Sequence, residues 1–307
     1  MTIKHLIISG GGPLGFSYFG CLDFLKTQNY ISFNELISIY STSVGTIIAT
    51  IIALNFESSI INDYFINRPW KDAYKLNGKQ ILNFFENKGL FDEEFFIIIF
   101  KPLFDSKNID ININLKEFNE LIKINLYFFA FDLNNYETIE LNHKNYPQLK
   151  LISAIKMSCS FPGIIIPSLD FEKDKCIIDG GILDNFPLKY CLRDNNNYEE
   201  ILGLNQDNNY NNILINENSN ILDFISSLLM NSINYINKIK DEKKENNENN
   251  EINNNKFVSN EKIKIIYFKN KHSKINLWIN ALTSSNFRKE LVDDGYKIAQ
   301  LFLNNLV

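Results

Sequence analysis

Residues 6–9, Leu-Ile-Ile-Ser, form a short apolar run that stops at Gly10-Gly11-Gly12-Pro13-Leu14-Gly15. A run this short, apolar throughout and closed by glycines, reads as a buried strand of a parallel sheet. Pro13 suits the first turn of a following helix, where its missing N–H is not needed. Residues 15–26 then place Phe16, Phe19, Leu22 and Phe24-Leu25 at helical spacing. The pattern repeats at once: residues 36–40 read as a second strand, and residues 44–54 as a helix apolar nearly all round, hence buried. Strand, helix, strand, helix predicts an α/β fold. The expected architecture is a three-layer α/β/α sandwich on a mainly parallel sheet.

Further strands are expected at residues 126–131, 137–141, 176–178, 201–204 and 263–268. Helices are expected at 149–158, 221–239 and 286–303. The asparagine-, glutamate- and lysine-rich stretch at about residues 240–256 reads as a solvated, low-complexity insertion. Because strand and helix signals resume after it, residues 1–307 are expected to form one domain. A formal net charge of −5 gives no sign of a nucleic-acid surface. Cys21, Cys159, Cys176 and Cys191 contain no C-x-x-C pair; Cys21 and Cys176, in apolar runs, read as buried thiols, and the set suggests a reducing, cytoplasmic setting. The N-terminus carries no signal-peptide pattern, and no run approaches a transmembrane helix. Residues 95–100, Phe-Phe-Ile-Ile-Ile-Phe, closed by Lys101-Pro102, read as a core helix rather than a lipid-dipping one. Lys262, Lys264, Lys269, Lys271 and Lys274 read as a solvated edge.

Three stretches carry chemistry. The glycine turn at residues 10–15 lets a backbone approach an anion at a helix N-terminus, either a phosphate or the oxyanion of an acyl transfer. A dinucleotide site would want a carboxylate closing the next strand. That strand ends instead at Tyr40-Ser41-Thr42-Ser43-Val44-Gly45. Ser41-x-Ser43-x-Gly45 is close to the nucleophile elbow G-x-S-x-G, with Ser41 in place of the first glycine. A helix N-cap at Ser41 or Ser43 is the competing reading. Asp179-Gly180-Gly181 closes another buried strand, so the carboxylate can lie at the sheet edge where sites form. The order Ser43, Asp179, His272 would also suit a Ser-His-Asp esterase, although His272 stands among lysines. Of the other histidines, His5 starts the first strand and His143 lies in a polar stretch.

Together these pieces resemble the patatin-like phospholipase family. The glycine loop, the Ser43 elbow, residues 153–163 (Ser-Ala-Ile-Lys-Met-Ser-Cys-Ser-Phe-Pro-Gly) and Asp179-Gly180-Gly181 with Asn185 and Pro187 come in family order. The resemblance implies a phospholipase A-type acyl hydrolase with Ser43 as nucleophile and Asp179 as its base. The loop Gly10, Gly11, Gly12, Pro13, Leu14 and Gly15 would form the oxyanion hole. Ser41, Gly45, Gly180 and Gly181 would support the two motifs. It also implies no metal or cofactor, and a lipid substrate met by peripheral contact with a membrane. Two departures stand out: Leu14 where the family usually has a basic residue, and Ser41 for glycine. Since backbone donors survive both, activity is expected; the rival is an inactive member that binds lipid without turnover.

Overall fold

The computed structural model describes residues 2–73, 78, 82–170, 174–207, 263–269 and 275–306, with scattered positions between 215 and 235. The low-complexity stretch at about 240–256, together with Lys262, Lys271, His272 and Lys274, lies outside the described residues.

Eight strands make one sheet: β1 His5–Ile8, β2 Ser38–Thr42, β3 Asn125–Asp132, β4 Glu137–Leu141, β5 Ser168–Asp170, β6 Lys175–Asp179, β7 Ile201–Asp207 and β8 Lys264–Lys269. Their order is β5-β6-β3-β2-β1-β7-β8, with β4 also paired to β3. β8, β7, β1, β2 and β3 are parallel, while β4, β5 and β6 are antiparallel to their neighbours. The helices are α1 Leu14–Thr27, α2 Val44–Leu54, α3 Ser58–Asn67, α4 Trp70–Ala73, α5 Phe84–Asn87, α6 Glu93–Ser106, α7 Leu115–Ile122, α8 Leu151–Ser158, α9 Leu188–Asp194, α10 Ile275–Thr283 and α11 Ser285–Asn304.

Alternation along the strands builds the layers, since successive side chains leave opposite faces of a sheet. Leu6, Ile8, Ile39, Leu126, Phe128 and Leu204 pack into one core with Leu22 and Leu25 of α1, Ile48 and Ile52 of α2, and Val292 of α11. Ile7, Tyr40, Tyr127, Phe129 and Ile201 face the other way, against Leu188, Cys191 and Leu192 of α9. The result is the expected α/β/α sandwich.

Two local differences from the sequence reading have simple causes. β5 is three residues long and partly exposed, too short to show an apolar signature. α6 does not stop at Lys101-Pro102 but runs on to Ser106, its burial of Phe100, Leu103 and Phe104 outweighing the hydrogen bond that Pro102 cannot donate. Among the described residues, no helix is long and apolar enough to cross a membrane.

The strand that carries Asp179 arrives from an unexpected direction. β2 pairs with residues 125–129 of β3, β6 with 130–132, and β4 with 128–132. As β4 overlaps both of the others, β2 and β6 must share the opposite edge of β3. They run toward each other along it. Thr42 stands opposite Phe129, and Asp179 opposite the next residue, Ala130. The C-terminal ends of two oppositely directed strands therefore meet.

Candidate active site

Ser43 is the single residue between β2 and α2, with φ 54° and ψ −131°. An L-residue held there stores strain of about 1–3 kcal/mol. Its backbone is gripped on both sides. The N–H donates to Ser158 Oγ at 3.0 Å, and that hydroxyl donates to Phe129 O at 2.6 Å. The carbonyl accepts from Thr46 N–H at 2.8 Å and from Thr46 Oγ1 at 2.7 Å. Gly45 is required by close approach: a Cβ there would lie 2.5 Å from Ile8 O and 2.9 Å from Ser9 O. The N-cap reading fails for Ser43, whose side chain makes no capping bond. Ser41 is an ordinary strand residue opposite Ile8, buried, with an unpartnered hydroxyl.

The Ser43 hydroxyl donates instead to Asp179 Oδ2 at 2.6 Å. Asp179 is 3% exposed. Its other oxygen accepts from Gly181 N–H at 2.7 Å, and its own N–H donates to Ser160 O at 3.0 Å. Gly180 rests against Phe129 O of β3. Burial pushes the Asp179 carboxyl up to about 6, against the lowering pull of the bonds from Ser43 and Gly181. The group is thus still ionised at neutral pH, yet a far better base than a free aspartate.

The glycine loop lies alongside. A Cβ on Gly10 would come 3.1 Å from Ser43 Cβ. Not all of its six residues offer a donor. Gly10 N–H donates to Asn185 O at 3.2 Å, Leu14 N–H to Gly11 O at 3.2 Å, and Gly15 N–H to Gly12 O at 3.0 Å. Pro13 has no N–H. Among the described residues, only the Gly11 and Gly12 N–H groups of this loop have no partner. Gly12 adopts φ +54°, with the Trp278 ring against its Cα, so a side chain is excluded there. The Tyr18 hydroxyl, 2.8 Å from Ser9 Oγ, donates to Gly10 O at 3.1 Å and steadies the loop.

From the loop a cleft of about 100 Å³ opens between Gly12, Val44, Phe65, Trp70, Phe95 and Trp278. All of its lining residues are apolar or glycine. Histidine is absent from the described surroundings of Ser43. His5 Nδ1 bonds Ser38 Oγ at 2.7 Å at the far end of β2, and burial lowers its pKa. His143 is also lowered by burial and makes no bond to Ser43 or Asp179. Sequence reasoning gave no role to Ser158, Thr46 or Trp278. Thr46, three residues after Ser43, carried a local signal, since hydroxyls bond nearby backbone at this spacing. Ser158 stood in the 153–163 segment with no role of its own, and Trp278 carried no signal.

Residues 6–192 match the family described as patatin-like phospholipase. The chain belongs to that family. The matched span includes the glycine loop, Ser43, Ser158 and Asp179 of this patatin-like chain, but not Trp278. Among relatives, uncharacterized protein R571 of Acanthamoeba polyphaga mimivirus is 29% identical over 186 residues, 61% of this chain and 60% of that protein. The probable lipid hydrolase 463L of Invertebrate iridescent virus 6 is 25% identical over 196 residues, 63% of this chain and 64% of that protein. The matches thus span about three-fifths of these relatives. In three dimensions, VipD from Legionella pneumophila shares the fold, with TM-score 0.54 and 15% identity over 99% of this chain and 67% of VipD. The family's usual basic residue in the glycine loop is here Leu14, the first residue of α1, buried beside Gly11.

Proposed function

We propose that this patatin-like chain is a serine lipid acyl hydrolase of the phospholipase A type, working through Ser43 and Asp179 as a dyad. The observation that carries the reading is the 2.6 Å hydrogen bond from Ser43 Oγ to Asp179 Oδ2 in a buried setting. As Ser43 Oγ attacks the ester carbonyl, its proton passes to Asp179. The oxyanion that forms is met by the N–H groups of Gly11 and Gly12. Collapse expels the alcohol, which takes the proton back from Asp179. Asp179 then deprotonates a water, whose attack releases the fatty acid and restores Ser43. The apolar cleft beside Val44 and Gly12 receives the acyl chain, leaving the headgroup outside. The relative 463L of Invertebrate iridescent virus 6, a probable lipid hydrolase, agrees with this reading. Contact with the lipid surface is peripheral. The whole chain acts as one domain, with the segment at about 240–256 inserted between two adjacent strands of the sheet.

The test is fatty-acid release from phospholipid vesicles. Ser43→Ala and Asp179→Asn are each expected to abolish it while the fold is retained, and His272→Ala to leave it unchanged. Loss of release in His272→Ala with activity kept in Asp179→Asn would favour the Ser-His-Asp alternative. Vesicle binding by wild type without release from any lipid would favour an inactive lipid binder.

A further inference from the structure

Three consecutive residues at the end of α8 touch both halves of the Ser43–Asp179 pair. Ser158 Oγ accepts the Ser43 N–H at 3.0 Å and donates to Phe129 O, in the strand that both β2 and β6 flank, at 2.6 Å. Cys159 Sγ lies 3.6 Å from Thr46 Oγ1, the hydroxyl that donates to Ser43 O at 2.7 Å. Ser160 O accepts the Asp179 N–H at 3.0 Å. All three residues are buried. Ser160 Oγ donates back to Lys156 O at 2.7 Å, which fastens the tripeptide to its helix.

The strain at Ser43 gives this arrangement its purpose. Nothing in the local chain favours φ 54° for a serine, so the conformation persists only where surrounding bonds over-determine it. Rotating the Thr42–Ser43 peptide away would part its N–H from the Ser158 hydroxyl, which belongs to a fully buried side chain. At the other end, the bond from Asp179 N–H to Ser160 O fixes the backbone from which the carboxylate projects. Only Cys159 separates these anchor points, on a short piece of chain closing a helix. The gap between Oγ and Oδ2 is therefore held from outside the dyad by a rigid spacer.

We propose that residues 158–160 form a clamp that sets the Ser43–Asp179 separation, with Ser158 as its positioning residue. Ser158 touches no reacting atom. It acts through the backbone of Ser43, and its kinetic consequence rests on the hydrolase reading above.

The experiment compares wild type, Ser158→Ala and Ser158→Thr by steady-state hydrolysis and by hydrogen exchange at the Ser43 amide. Ser158→Ala removes the hydroxyl and Ser158→Thr keeps it. In Ser158→Ala, kcat is expected to fall about 10- to 100-fold with KM held within about twofold, the pattern of a misplaced nucleophile rather than of weaker binding. Exchange at the Ser43 amide is expected to quicken at least about tenfold, since its protecting acceptor is gone. Ser158→Thr is expected to recover both. Unchanged kcat and unchanged exchange in Ser158→Ala would overturn the clamp. So would a lost kcat with the Ser43 amide still protected. Exchange reads the clamp without turnover, so a wild type that hydrolyses nothing would count against the hydrolase reading while this measurement still judges the clamp.

Discussion

At Asp179, the carboxyl pushed by burial to about 6 ties activity to stability. In the proposed dyad, only the ionised form would accept the Ser43 proton. kcat/KM is therefore expected to rise through about pH 6 and level off above it, checked by a pH–rate profile on a soluble ester. The same shift has a sign for folding. The ordinary value is 3.8 and the native one about 6, so between them the native protein binds more protons than the unfolded chain. Stability contributed by this group is complete below 3.8 and lost as pH rises through 6. The loss at neutral pH is about 2–3 kcal/mol. Asp179→Asn carries no charge at any pH. It is expected to raise Tm at pH 7 while lowering kcat about 10²- to 10⁴-fold, a trade of function for stability seen by calorimetry and kinetics together. An unchanged or lower Tm would mean that the buried carboxylate is not strained. The candidate pair could be picked out in the sequence because Asp179 closes an apolar run beside Gly180-Gly181 and Ser43 sits in an elbow-like turn before Gly45. Which loop amides are free could not be: the Asn185 carbonyl that occupies Gly10 N–H lies 175 residues away in the chain.

At the level of elements, the elbow depends on α2 docking on the end of β1. Gly45→Ala would drive a methyl group into Ile8 O and Ser9 O, at 2.5 and 2.9 Å. Neither is the end of a flexible side chain, so the helix itself must shift. The expected result is a loss of about 1–3 kcal/mol in urea unfolding, with hydrolysis falling further than stability, because Ser43 moves with the helix. Strands β1, β2, β3 and β7 were legible as short apolar runs, α1 by its spacing and α2 as a longer run apolar nearly all round. The direction of β6 was not, because a run such as Cys-Ile-Ile reads the same whether its neighbour runs parallel or antiparallel. Yet that direction decides the site: only an antiparallel β6 can end where β2 ends on a shared edge of β3.

Across the whole molecule, the cleft gathers side chains from α1, α2, α3, α4, α6 and α10. None of these side chains was read as lining a cleft, and Phe95 and Ile99 were assigned to a core helix, since a Phe or Ile lining a cleft and one filling a core look alike until the elements are assembled. Each methylene buried there is worth about 0.8 kcal/mol, so kcat/KM is expected to climb about fourfold per added CH₂ along a series of acyl esters until the cleft is full. Ala281→Phe, which narrows the cleft away from Ser43 and Asp179, is expected to flatten that series. An identical slope in both proteins would place the acyl chain elsewhere.

In the proposed dyad, Ser43 owes its reactivity to Asp179. A fluorophosphonate reacts with serines made nucleophilic by a neighbouring base, and mass spectrometry of the labelled protein locates the adduct. Modification of Ser43 alone is expected in wild type, and its loss in Asp179→Asn. Modification of another serine, or labelling of Ser43 that proceeds undiminished in Asp179→Asn, would contradict it.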